Sequence, residues 1–165
     1  LSIDKYLDLK YTISGNTFPL IRWDNYLTIY FDQFSTSVSC AYFATHDDGD
    51  KPNFKKICYA SPWELPENLD FMLSDCCAPW IVNIDLDYFF CTKDERGERM
   101  LSDDYIRACM SCLKTRIDAG AVAVVTVCLT PDDDLTGGWE QTEKMATDIC
   151  AMLGKSFSLP TDTNP

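Results

Sequence analysis

Two carboxylates one residue apart close an apolar run, Trp80-Ile81-Val82-Asn83-Ile84-Asp85-Leu86-Asp87. The run suits a strand buried on both faces of a parallel sheet, and packing gives no reason for two acids at its end. A hard divalent cation does. In open α/β sheets ligands bind outside the carboxyl ends of the strands, where Asp85 and Asp87 fall. A period of 2 sends both side chains off the same side of the strand, within reach of one ion or a pair. Carboxylates holding such an ion point to metal-assisted hydrolysis, in which the metal lowers the pKa of bound water.

Further acids have similar placements. Asp4 and Asp8 flank Tyr6 after a short strand candidate at the chain start. Glu143 follows Gly138 by five residues, where a late strand passes into a helix. Asp132-Asp133-Asp134 lie in a loop expected at the same carboxyl edge as Asp85. The single histidine, His46, sits beside Asp47, Asp48 and Asp50 in a stretch rich in turn residues and reads as a solvated loop residue.

The elements that must position these residues follow from pattern and punctuation. Ser14-Gly15-Asn16 marks a turn. Residues 20–34 carry aromatic and branched residues at spacings of a short helix or an irregular packed segment. Residues 39–45 and 54–60 are apolar runs separated by turn residues, which predicts a hairpin with a polar tip. A short helix is expected within residues 62–75. After the Asp85 strand and a polar insert over 92–100, Ser102 serves as N-cap of a helix with Asp103 and Asp104 in its first turn. Its apolar stripe is Tyr105, Ile106, Cys109, Met110, Leu113 and Ile117, and Gly120 ends it. Residues 121–128 form a buried strand, so strand, helix and strand make a right-handed parallel crossover. A last helix over 138–153 carries Trp139, Met145, Ile149, Cys150 and Leu153. Residues 158–165 read as a flexible tail behind a single domain over 1–157.

Composition bounds the partners. With 165 residues, 46% apolar and 13% aromatic, the chain can build one core. Its net charge of -12 argues against nucleic acid and anionic membranes and favours cationic partners, metals or guanidinium and amine substrates. The nine cysteines are odd in number and two are adjacent, so they read as reduced and mostly buried. Cys109 and Cys112 form a C-x-x-C in mid-helix without a second pair, which suits core cysteine better than zinc. The longest apolar run, 121–129, is too short to span a bilayer, and the expected location is cytoplasmic. The chain begins at Leu1 without methionine, which leads us to expect that first strands are missing.

The Asp4-x-Tyr6-x-Asp8, Asp85-x-Asp87 and Gly137-Gly138-x-x-x-x-Glu143 segments together resemble the arginase/deacetylase superfamily. Ile84-Asp85-Leu86-Asp87-Tyr88-Phe89 is similar to the I-D-L-D-Y-F signature of a family that includes peptide arginases, which convert peptidyl arginine to ornithine. The resemblance spans about residues 1–155 and implies a three-layer α/β/α fold with a mainly parallel sheet. It implies a dinuclear Mn2+ site with Asp4, Asp8, Asp85 and Asp87 as ligands, Asp4 and Asp85 bridging, and Tyr6 where the family has a histidine. Glu143 would pair with the substrate guanidinium, giving urea release from a small cationic or arginine-bearing peptide substrate. Where arginases carry a catalytic histidine after S-G-N-x, Phe18 follows Ser14-Gly15-Asn16-Thr17.

Two other readings use the same residues. Tyr6 and Phe18 suit a degenerate, non-catalytic member that acts as a binding module. The D-x-D after a strand also resembles haloacid-dehalogenase-like Mg2+ phosphohydrolases, with the Asp132 to Asp134 triplet as the later acids. In that family a threonine follows and the motif opens the domain, whereas here Tyr88-Phe89 follow at mid-chain.

Overall fold

The computed structural model describes residues 10–21, 25–45, 56–74, 79–90 and 97–159. Asp4, Tyr6, Asp8, His46 and the acids after it lie outside the described residues, as does most of the expected tail. The chain divides into two compact units, Leu1–Ser61 and Pro62–Pro165.

The first unit begins with strands β1 (Lys10–Ile13) and β2 (Asn16–Pro19), paired antiparallel with Ile13 opposite Asn16. Ser14 and Gly15 form the intervening two-residue turn with φ of 51° and 82°. Two positive φ values are the signature of a type I′ turn, whose twist matches that of the strands it joins. Helix α1 (Tyr26–Gln33) follows Asn25, whose buried side chain donates to the Leu20 carbonyl at 2.9 Å. Ile29 and Phe31 turn inward.

Strands β3 (Ala41–Ala44) and β4 (Ile57–Ala60) pair parallel, Ala41 opposite Ile57, and overturn the expected hairpin. Turn residues between two apolar runs break regular structure but do not fix the direction of return. A connection over 45–56 is long enough for the crossover that a parallel pair needs. Lys56 Nζ donates to the Val38 carbonyl at 2.9 Å, tying the start of β4 to the segment before β3.

The second unit contains helix α2 (Leu65–Met72), strand β5 (Trp80–Asp85), a 3-10 turn (Leu86–Phe89), helix α3 (Asp103–Asp118), strand β6 (Val122–Cys128), the short helix α4 (Asp133–Thr136) and helix α5 (Trp139–Met152). α3 starts where its capping residue places it: Ser102 Oγ accepts from Tyr105 N at 3.2 Å. At its other end Gly120 takes φ of 77° and its N–H donates to the Ile117 carbonyl. Ile106, Cys109, Met110 and Leu113 are buried, the centre of the stripe read from sequence. From α5, Met145, Ala146 and Ile149 are buried, with Leu153 just past its end and Leu86, Phe89 and Phe90 completing the core. Trp139 is 56% exposed, because it lies in the first turn at the margin of the α5 stripe.

β5 and β6 are parallel with Asp85 opposite Cys128, so the strand, helix, strand order forms a parallel crossover. The class is mixed α/β with short parallel pairs. The strands are not covered on both faces. Trp80 and Ile84 are buried, but Ile81, Asn83 and Asp85 on β5 and Val124, Thr126 and Cys128 on β6 are exposed. An apolar run could not reveal this, since branched residues serve a half-exposed sheet as well as a buried one. No described helix is long and apolar enough to cross a membrane.

Candidate functional site

The exposed face of the β5–β6 pair becomes polar towards its carboxyl edge. Thr126 Oγ1 donates to Asn83 Oδ1 at 2.6 Å across the pair. One step further Thr130 Oγ1 donates to Asp85 Oδ1, also at 2.6 Å, and stands 3.4 Å from Cys128 Sγ. Asp85, Cys128 and Thr130 thus meet at the edge where α/β proteins bind ligands.

Thr130 holds this arrangement at a cost. Its φ is 44°, in the left-handed region that a β-branched side chain rarely enters. Its carbonyl accepts from Thr136 Oγ1 at 2.7 Å and from Asp132 N at 2.8 Å, bonds that over-determine the strained conformation. Thr136 is fully buried. Asp132 caps α4, accepting from Asp134 N at 2.8 Å and Leu135 N at 3.2 Å. The acidic triplet expected to be a solvated loop is therefore a helix start, stabilised by acids at its positive end.

Gly137 and Gly138 follow with φ of 74° and 86° and lead into α5. A Cβ built on Gly97 would stand 2.2 Å from the backbone nitrogen of Gly137, so two chain segments touch here through glycine alone. Gly97 therefore permits the close backbone approach, while the Gly-Gly pair supplies the positive φ values at the entry to α5.

Asp87 departs from its expected place. β5 ends at Asp85, and Asp87 lies in the 3-10 turn, half-buried, its carbonyl accepting from Phe90 N at 2.9 Å. The period-2 argument for a common direction of the two carboxylates therefore does not apply. Glu143 lies in the second turn of α5 and is exposed, its carbonyl accepting from Thr147 Oγ1 at 2.8 Å. Among the described residues, no group of three or more histidine, cysteine, aspartate or glutamate side chains is placed to hold a metal ion.

A second polar cluster joins the 3-10 turn to α3. Tyr88 and Tyr105 share a hydrogen bond of 3.0 Å between hydroxyls, and Tyr105 donates to the Pro62 carbonyl at 2.6 Å. Burial raises the pKa of both phenols, and for Tyr105 the bond to Tyr88 adds to the effect. Burial, aided by Cys112, pushes the Cys109 thiol up to about 11. Cys112 is raised as well, by burial and then by Asp70. Burial suits the reading of Cys109 as a core cysteine, whereas Cys112 is half-buried with its Sγ 3.9 Å from Asp70 Oδ1.

No family model, curated protein or solved structure matches the chain. The site therefore stands on its own geometry. Sequence reasoning singled out Asp85 but missed Thr130 and Cys128, whose only signal was their position at the end of a strand and just beyond it, at the same edge. It also took the cysteines to be mostly buried. Of the described ones only Cys109 is buried, while Cys58 and Cys128 are exposed. Cysteine's usual burial is a statistical tendency, and Cys128 escapes it by falling on the open face of the sheet.

Proposed function

We propose that the carboxyl edge of the β5–β6 pair belongs to a hydrolase acting on C–N bonds of guanidinium or amide substrates, similar to peptide arginases, with arginine-bearing peptides as the substrate class. The observation that carries this reading is the Asp85 carboxylate fixed at that edge by the strained Thr130, a positioned anion open to a cationic ligand. The acidic balance of the chain supports the same substrate charge. Asp85 would bind and Thr130 would orient it, while Glu143 on α5 offers a carboxylate of the type that pairs with a planar guanidinium.

Mn2+ is the cofactor this reading calls for. Asp85 and Asp87 agree with it as hard oxygen donors. They are too few to hold it alone, so the ligand set depends on Asp4, Tyr6 and Asp8. When bound, such an ion supplies hydroxide from water for attack on the guanidinium carbon.

Elemental analysis after dialysis against Mn2+ tests the reading, with the Asp85→Asn/Asp87→Asn double variant alongside. Near-stoichiometric manganese in the parent and its loss in the variant, together with ornithine or urea from arginine peptides, is the expected result. Equal metal content in both would overturn it. A second reading, a binding module that keeps the edge without the chemistry, draws on Tyr6 and Phe18, which stand where the family it resembles carries histidine. It expects substrate-like peptides to bind without turnover. The phosphohydrolase alternative is weakened by Asp132, whose carboxylate is engaged in capping α4.

A further inference from the structure

We infer that the outer face of α2 and the turn before it, carrying Trp63, Glu64, Glu67 and Phe71, is a docking surface for a cationic polypeptide segment that presents arginine or lysine among apolar residues. The inner face of α2 is already satisfied. α2 packs on α3, Leu65, Leu69 and Met72 are half-buried, and Leu73 is 5% exposed. Arg116 Nε on α3 donates to Asp70 at 2.9 Å and Tyr105 to the Pro62 carbonyl, so the helix is pinned from both ends.

At about 100° per residue, Trp63, Glu67 and Phe71 follow one another on the opposite side. Trp63 is 82% and Phe71 72% exposed, the two most exposed large apolar side chains among the described residues. A helix with one face packed should show water a polar surface. Here the water-facing side instead alternates aromatic rings with the exposed carboxylates of Glu64 and Glu67. Rings offer their faces to cations and carboxylates offer paired hydrogen bonds, and a guanidinium takes both.

Charge selects the occupant. A second copy would bring another net charge of -12, and nucleic acid or an anionic bilayer would be repelled in the same way. A basic amphipathic segment has the complementary charge and an apolar surface for the rings. The surface stands independently of the carboxyl-edge site, and its test reads binding rather than turnover.

The probe is a fluorescent amphipathic peptide with arginines three and four residues apart and leucines between them, titrated into the full chain by anisotropy. A glutamate-for-arginine version serves as control. Binding of the arginine peptide alone is expected, weakened about tenfold or more by Trp63→Ala/Phe71→Ala and also by Glu64→Lys/Glu67→Lys. The charge-matched Glu98→Lys/Glu140→Lys variant should change it less than about twofold. These positions are exposed, and circular dichroism checks that each variant folds. Equal weakening by both charge variants, or no effect of removing the rings, would overturn the inference. So would a dimer that dissociates in Trp63→Ala/Phe71→Ala, or binding of this face to zwitterionic phosphatidylcholine vesicles in place of the peptide.

Discussion

Two small polar clusters in the second unit use similar chemistry to opposite ends. At the carboxyl edge, Asp85, Thr130 and Cys128 meet on the exposed face of two strands. In the interior, Tyr88, Tyr105 and Cys109 meet between the 3-10 turn and α3. Both combine a hydroxyl with a thiol. Water separates them: the interior groups are desolvated and held in their neutral forms, whereas the edge leaves a carboxylate accessible. The difference teaches that a thiol or hydroxyl near a C-x-x-C or D-x-D motif is read by its burial before its neighbours. The interior cluster is shielded from water, and the edge is open to it.

Thiol labelling gives the largest contrast. At pH 8 a soluble alkylating reagent should modify the exposed Cys128 at least about tenfold faster than Cys109, which is buried and whose thiol is pushed up to about 11. Peptide mapping by mass spectrometry reads both rates, and comparable rates would erase the distinction between the clusters. Next is Tyr105→Phe, which removes a hydroxyl bonded to both Tyr88 and Pro62 and should cost about 1–3 kcal/mol in urea unfolding. An unchanged midpoint would mean that the interior cluster contributes no stability.

The pH dependence is smaller and has a definite sign. Folded Cys109 holds its proton up to about 11 against an ordinary 9.0, so the native state binds more protons than the unfolded one across that window. Stability from this group should be level below pH 9.0, fall as pH rises through about 11, and level off above. The raised phenols of Tyr88 and Tyr105 extend the fall upward. A Cys109→Ala variant should flatten the lower part of the curve, and an identical curve would exclude the thiol as its cause. The smallest effect is at the edge. Asp85→Asn should change unfolding free energy by no more than about 0.5 kcal/mol, because the side chain is exposed. A loss of several times that would make Asp85 structural and remove the reason to look for a ligand there.

What sequence could foretell follows the range of the forces involved. α3 was legible in full because its cap, first-turn acids, stripe and terminal glycine are all local signals, and the turn at Ser14-Gly15 was legible for the same reason. The direction of β4 relative to β3 was not, since strand pairing is decided by partners distant along the chain. The same distance hid the open face of β5: Ile81 and Val82 read alike in sequence, though one is exposed and the other half-buried. At the site, Asp85 was visible as an acid where packing has no use for one. Thr130 was not, because nothing in a threonine announces a positive φ. Asp87 was placed one element too early, since no residue between it and Asp85 signals that the strand ends there.

The contact of Gly97 with Gly137 constrains how this sequence can change over time. One segment lies before α3 and the other before α5, and the Gly137 backbone closes position 97 to any residue with a side chain, whereas a Cβ on Gly137 would meet the flexible Gln141 side chain. Position 97 is therefore held to glycine by the facing backbone, while position 137 is restricted by its own positive φ. A lineage that lost Gly97 would have to move the two segments apart, and with them Thr136, whose hydroxyl bonds the Thr130 carbonyl.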